Sequence, residues 1–437
     1  MAKQLFLGIL CVCITAFAQA QTLTLARALE LGTAHSYMLR ADSAKLISAH
    51  QKVVQQQNTQ IPTLSLNAGY TRLSDNIPEF KIALPNIGTF TLNPIIPNTY
   101  SNRASVQEVV FAGFRVRNSI AAAKNLEVAT KLDADKDKGD LRINLVSAYY
   151  NLFKATTAVR LVQENIKKVD TQLSDLRKQE AQGLALYNDV VRLDLQRTNL
   201  DLSLADARSA VDVSTYALNT LLGLPIAQPI AIDTLEMEKL PTIDNLEAYQ
   251  ATAMNERADV RGNEARIAAA LSQVKVAESN YYPTVAVAAN YYVARPNQRI
   301  FPATDAWKDT WDAGVTLSYN ITGAYTTAAF VKDAKAQAMA YGLQNEGVKD
   351  QARTDIFQNY AAFKVALEKI EVQRKGVKQA QENYRLLKSR YDNQLALLAD
   401  LLDADVLLLQ ARLNVETARA DANTAYYKLL KAAGKNF

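Results

Sequence analysis

The sequence predicts an α+β membrane protein built as an internal tandem duplication. Three observations carry that fold class. First, "AYYNLFKA" (148–155) resembles "NYAAFKVA" (359–366), and "LALYNDVVRLDL" (184–195) resembles "LALLADLLDADV" (395–406). Tyr216 and Gly223 map onto Tyr427 and Gly434, and all of these matches keep one shift of 211 residues. Second, each half holds two short stretches in which apolar and polar residues alternate. Third, each half holds a proline-free tract of roughly 70 residues with helical composition. At the front of each half, "IPTLSLNAGY" (61–70) matches "YPTVAVAANY" (282–291) at a shift of 221.

The elements follow in order. Residues 1–20 read as a secretory signal peptide: Lys3, an apolar run from Leu5 to Phe17, and the small-x-small site Ala18-Gln19-Ala20. Gly8-Ile9-Leu10 is a poor lead-in to Cys11, so lipidation is not expected there. Cys11 and Cys13 are the only cysteines, so an exported chain without disulfides must be held by packing. The first repeat is expected over 21–223, a linker over 224–244 and the second repeat over 245–437. A helix is expected from Leu25 to Gln60 and its counterpart from Asn245 to Tyr281, ended by Pro62 and Pro283. Strands follow, with Leu64, Leu66, Ala68 and Tyr70 on one face, and Val285, Val287, Ala289 and Tyr291 on the corresponding face. Proline-containing loops lead to return strands near Ala104–Phe111 and Trp311–Ile321. In the second of these, Trp311, Ala313, Val315, Leu317, Tyr319 and Ile321 alternate with polar or small residues. The long tracts run to about Gln182 and Asn393, and final helices span Tyr187–Leu222 and Leu398–Ala433. Helices this long suggest coiled-coil packing, with a seam at Leu398, Leu402, Val406, Leu409 and Leu413.

Composition removes several function classes. The formal charge of +5 is modest and its basic residues are mixed with acidic ones, so no nucleic-acid footprint is present. The two histidines, His35 and His50, lack metal-ligand spacing and read as surface residues. No nucleophile, phosphate-binding or dinucleotide motif occurs, so no catalytic residue, metal or cofactor is expected.

The strands instead point to lipid. Aromatic residues stand at their margins (Tyr70, Phe111, Tyr281, Tyr282, Tyr291, Tyr292, Trp307, Trp311), where a membrane β-barrel carries its girdles. Four strands cannot sit in a bilayer alone, because both edges would expose unpaired backbone groups. Two copies would give eight strands and a side-chain-filled barrel; three would give twelve and room for a channel. A soluble periplasmic coiled-coil or adaptor protein without a barrel is the alternative.

The duplicated helix–proline–strand–loop–strand–long helix–helix unit resembles the TolC-type outer membrane efflux protein family. "YDNQLALLADLLDA" (391–404) is similar to that family's tip motif of Tyr, Gly and then Asp-Val-Leu-Asp-Ala. The resemblance covers residues 22–437. It implies a homotrimer with a composite 12-stranded transmembrane β-barrel in outer-membrane lipid, four strands from each chain. The barrel would continue into a long periplasmic α-helical coiled-coil barrel closed at its tip, with an equatorial region near 224–250. It further implies a passive exit duct for tripartite efflux or type I secretion, opened by a periplasmic adaptor (membrane fusion protein) and an inner-membrane RND or ABC pump. Gln394 departs from the family's glycine, which Gly183 keeps in the first half. Ala396 stands where some members carry an arginine.

"LALLADLLDADV" places three acids among leucines. At about 100° per residue, Asp400 and Asp403 share a face about 60° wide, and Asp405 falls beside the seam. Asp405 recurs as Asp194, which suits a structural ion pair. Asp400 recurs as Asp189, and Arg192 replaces Asp403. Taken with this geometry, the resemblance implies Asp400, Asp403, Asp189, Arg192 and Tyr391 as the residues of the aperture. The expected membrane-facing residues are Leu64, Leu66, Tyr70, Val285, Val287, Tyr291, Trp311, Leu317 and Tyr319.

Overall fold

The computed structural model describes residues 22–74, 76–93, 95–232, 242–435 and 437. The signal peptide, with Cys11 and Cys13, lies outside the described residues, as do residues 233–241 of the 224–244 linker. In chain order the elements are α1 (Leu25–His35), α2 (Tyr37–Asn58), β1 (Thr63–Arg72), β2 (Phe80–Leu84), β3 (Gly88–Asn93), β4 (Asn98–Ala112), α3 (Arg115–Ala181) and α4 (Tyr187–Leu222). The second half supplies α5 (Leu246–Glu256), α6 (Ala258–Glu278), β5 (Thr284–Arg295), β6 (Lys308–Ser318), α7 (Gly323–Asp392) and α8 (Leu398–Ala432).

Four boundaries differ from the sequence reading. The first helix of each half is broken, at Ser36 and Arg257, where the chain turns extended (ψ 118° and 125°). These positions are one repeat apart, so the duplication preserves the break. Ser36 supports it by accepting the Leu39 N–H on its hydroxyl at 3.3 Å, as an N-cap does. The first proline-containing loop holds a hairpin, β2–β3, because Pro85 and Asn86 form its turn. Asn86 sits at φ 68° and the Ile87 N–H donates to the Leu84 carbonyl at 3.2 Å, a type II arrangement. The return strand β4 starts six residues earlier than expected, because Asn98–Arg103 pair with Asn67–Arg72 of β1. Finally, β6 ends at Ser318, so Tyr319 and Ile321 lie beyond it. The Asn320 side chain there accepts the Gly323 N–H at 3.2 Å and turns the chain into α7.

The chain divides into two compact units. One comprises the described part of Met1–Arg40 with Lys136–Arg257 and Ala352–Phe437. It is held by helix packing at heptad spacing. On α3, Val162, Ile166, Val169, Leu173 and Leu176 recur in steps of four and three, and they pack with Val190, Leu193 and Leu200 of α4 and Leu398 and Leu402 of α8. A second cluster joins Leu25 and Leu29 of α1 to Leu145, Tyr149, Leu152 and Phe153 of α3 and Leu218 and Leu222 of α4.

The other unit comprises Ala41–Asp135 and Ala258–Gln351. Its sheet has the order β1-β4-β5-β6, all neighbours antiparallel, with β1 and β6 at the edges. Gly113 (φ 60°) turns β4 into α3. A Cβ there would lie 2.6 Å from the Ser279 carbonyl oxygen, so only glycine fits.

Candidate functional site

The two helix–helix turns are built alike. After α3, Gly183 (φ 74°) donates its N–H to the Glu180 carbonyl at 2.8 Å, and Leu184 donates to Gln179 at 2.9 Å. After α7, Gln394 (φ 61°) donates to Tyr391 at 2.9 Å, and Leu395 to Arg390 at 2.8 Å. Both are Schellman-type C-caps, in which a left-handed residue satisfies the last carbonyls of the helix. Gln394 thus keeps the geometry of Gly183, its equivalent one repeat earlier, at a strain of about 1 kcal/mol. Leu186 and Leu397 then stand as extended N-caps without a side-chain oxygen. Asp400 compensates in α8: its carboxylate accepts the Leu397 N–H at 3.4 Å. A negative charge in a helix's first turn also opposes the positive dipole end. Asp189 holds the equivalent place in α4 and is half-buried.

The three acids of "LALLADLLDADV" separate in the fold. Asp400 and Asp403 are exposed, whereas Asp405 is only 2% exposed. The seam differs from the expected one. Leu398, Leu401, Asp405 and Leu408 are buried while Val406 is 45% exposed, so Asp405 occupies a seam position itself. Its carboxylate forms an ion pair with Lys168 of α3. The same ammonium lies 3.5 Å from the Tyr384 ring centroid, a cation–π contact that shields it further. Asp194, its repeat equivalent, is exposed and pairs at 3.2 Å with Arg177 of α3. Lys168 and Tyr384 carried no sequence signal, since their pairing joins residues far apart in the chain.

Tyr391 is half-buried against the Val162–Leu176 cluster. That burial pushes its hydroxyl above the usual tyrosine range, and the nearby charges of Asp189 and Asp392 push the same way. The structure therefore brings Tyr391 and Asp189 together. Arg192 is exposed and forms no ion pair among the described residues. Leu184, Leu186, Tyr187, Leu395 and Leu397 surround the turns and are each 70% or more exposed. Sequence reasoning passed over them, although the repeated "LAL" strings carried the signal.

In the sheet, register decides which side chains share a face. Leu66 pairs with Ala104, Ala104 with Tyr291 and Tyr291 with Trp311, while Leu64 pairs with Val106, Val287 with Val315 and Val285 with Leu317. Directly opposed residues point the same way. Leu64, Leu66, Tyr70, Val285, Val287, Tyr291, Trp311 and Leu317 consequently form one apolar face, most of it strongly exposed. Tyr319 is exposed but lies past the strand. Tyr70, Tyr100 and Trp307 stack at the loop end of the sheet (centroids 5.1 and 5.6 Å apart), and Phe111 meets Phe114 edge-on at the helix end. The opposite face carries Ser65, Asn67, Ser105, Gln107, Asn290, Asp312 and Thr316. Two polar residues, Asn102 and Glu108, also fall on the apolar face of β4, which the sequence reading had not assigned.

Among the described residues, no helix is long and apolar enough to cross a membrane, and no group of three acidic, histidine or cysteine side chains could hold a metal ion.

The family model for outer membrane efflux proteins matches residues 29–224 and 250–435. The outer membrane efflux protein BepC of Brucella suis is 23% identical over 332 residues, 76% of this chain and 71% of that protein. CyaE of Bordetella pertussis is 24% identical over 94% of this chain and 84% of its own length. Among solved structures, the Vibrio cholerae outer membrane protein VceC superposes with a TM-score of 0.76 at 20% identity, covering 94% of this chain and 96% of VceC. The open-state Neisseria gonorrhoeae channel MtrE gives 0.74 at 19% identity, covering 94% and 89%.

Proposed function

The chain belongs to the outer membrane efflux protein family, and from that membership we propose that it is the outer-membrane exit duct of a tripartite efflux or type I secretion machine. It resides in the outer membrane of a Gram-negative cell and extends into the periplasm. The observation that carries the reading is the sheet: an apolar face exposed on the chain, a polar face behind it, and two open edges. In lipid each unpaired N–H or C=O at β1 and β6 would cost several kcal/mol. Because neighbours alternate in direction, β6 of one copy can pair antiparallel with β1 of the next. Three copies close twelve strands around a water-filled lumen. A soluble coiled-coil protein would leave the apolar face without a partner.

The two repeats, 21–223 and 245–437, then each supply two strands and one helical hairpin. The helical turns form the periplasmic end, where an adaptor and an inner-membrane RND or ABC pump engage. Asp400 and Asp403 of three chains ring the opening as six carboxylates, with Asp189, Arg192 and Tyr391 beside them. Arg192 of one helix pairs with an acid across the closed aperture. No group does chemistry; energy comes from the pump, and the duct needs no cofactor.

The test is single-channel recording in planar bilayers. Asp400→Ala with Asp403→Ala should lower cation selectivity and block by trivalent cations, and Arg192→Ala should raise resting conductance. A double variant that conducts and selects like the parent places the acids outside the pore.

A further inference from the structure

The loop between β5 and β6 is tied down onto the polar face of the sheet. Asn297 is only 4% exposed. Its amide donates to the Lys308 carbonyl at 3.1 Å and to the Thr310 hydroxyl at 3.2 Å, and its carbonyl accepts the Arg299 N–H at 3.0 Å. These bonds aim Arg299 back along the strands. Its guanidinium lies 2.6 Å from the Asp312 carboxylate and 3.9 Å from the Tyr292 ring centroid. Asp312 is held in turn by the Asn290 amide at 2.7 Å. Asn290, Tyr292 and Asp312 all stand on the polar face.

Across β4, Arg103 is the register partner of Tyr292, so it shares that face. It is exposed and forms no ion pair among the described residues. Arg103, Lys308 and Asp312 are the charged residues of the polar face, and all three lie toward its loop end. With Arg299 added, the loop end of the polar face carries three basic groups against one acid among the described residues, while the rest of that face is neutral.

We propose that Arg103 and Arg299 form an anion-binding ring at the outer mouth of the duct, which takes carboxylate, sulfate or phosphate groups on passing or entering solutes. The inference rests on the duct reading above. Arg299 is partly neutralised by Asp312, and that ion pair fixes its position. Arg103 is the free charge, and a guanidinium presents a planar fork that matches an oxyanion's geometry. Three copies around one lumen concentrate their field, because a narrow opening lined by one sign attracts the opposite sign. The aperture acids at the helical end carry the reverse sign, so the two ends of the duct differ in the ions they admit.

The experiment uses the full protein in planar bilayers, with inorganic triphosphate as the probe added to one side at a time. A biotin on Asn86→Cys, in the exposed β2–β3 turn, identifies the loop side by its binding of streptavidin. Triphosphate on the loop side should block the parent. Arg103→Gln, which leaves the Asn297–Arg299–Asp312 network intact, should raise the half-blocking concentration at least fivefold, and Arg103→Gln with Arg299→Gln at least tenfold. Arg103→Lys should stay within twofold to threefold of the parent. Equal block from both sides, or the same half-blocking concentration in the glutamine variants, would overturn the ring while leaving the duct intact. A parent that forms no channel would overturn both.

Discussion

At the scale of single residues, Asp405 shows what sequence can and cannot reveal. Its recurrence as Asp194 marked it as structural, and the ion pair with Lys168 fits that reading. The sequence could not show that it takes a seam position, because a helical wheel fixes the angle between residues but not which face the neighbours occupy. The buried carboxylate makes a prediction. Lys168→Met leaves a charge in the seam without its partner and should destabilise the helical unit by about 3 kcal/mol. Lys168→Met with Asp405→Leu should recover most of that loss, since an apolar pair of similar size replaces the ions. Thermal unfolding followed by circular dichroism in detergent separates the two. Tyr391 predicts a pH effect. Its folded pKa lies above the unfolded value of 10.0, so its packing contribution is complete below pH 10 and is lost as pH rises through the folded value. Resting conductance should therefore climb in strongly alkaline solution. Tyr391→Phe should remove that component, and an unchanged alkaline response would separate Tyr391 from the aperture.

Elements were legible where a local rule sets them. Pro62 and Pro283 ended helices, and the proline-free tracts became α3 and α7. The breaks at Ser36 and Arg257 were not legible, because neither residue is a strong breaker and only the recurrence one repeat apart marks them. The β2–β3 hairpin was missed because four prolines in one segment suggested an unstructured loop, although Pro85-Asn86 is a turn sequence. Two turns give stability tests. Gln394→Gly should stabilise by about 1 kcal/mol by removing strain at φ 61°, and Gly183→Ala should cost a similar amount. Gly113→Ala should cost about 2–3 kcal/mol, since its Cβ would meet backbone rather than a movable side chain. Unfolding midpoints measure all three. A neutral Gly113→Ala would mean that β4 and α3 join differently.

For the whole molecule, the duplication was readable because one register holds across most of the chain, and strand alternation gave the two faces. What the sequence concealed is how the two pairs join: β4 of the first repeat pairs with β5 of the second, which makes a single sheet with two open edges. The helical seams were readable in kind but not in detail, since tertiary packing selects the buried stripe. The apolar face predicts that arginine at Leu66, Val287 or Leu317 impairs membrane assembly by roughly 2–4 kcal/mol near the midplane. Arginine at Asn67 or Ser318, on the polar face, should be better tolerated. Equal defects on both faces, in heat-resistance of the assembled band on gels, would contradict the assignment. Most directly, native mass spectrometry of the mature protein released from detergent micelles counts the copies that close the sheet. A complex at three times the chain mass is predicted; a stable monomer with its sheet edges open would contradict the barrel and the duct with it.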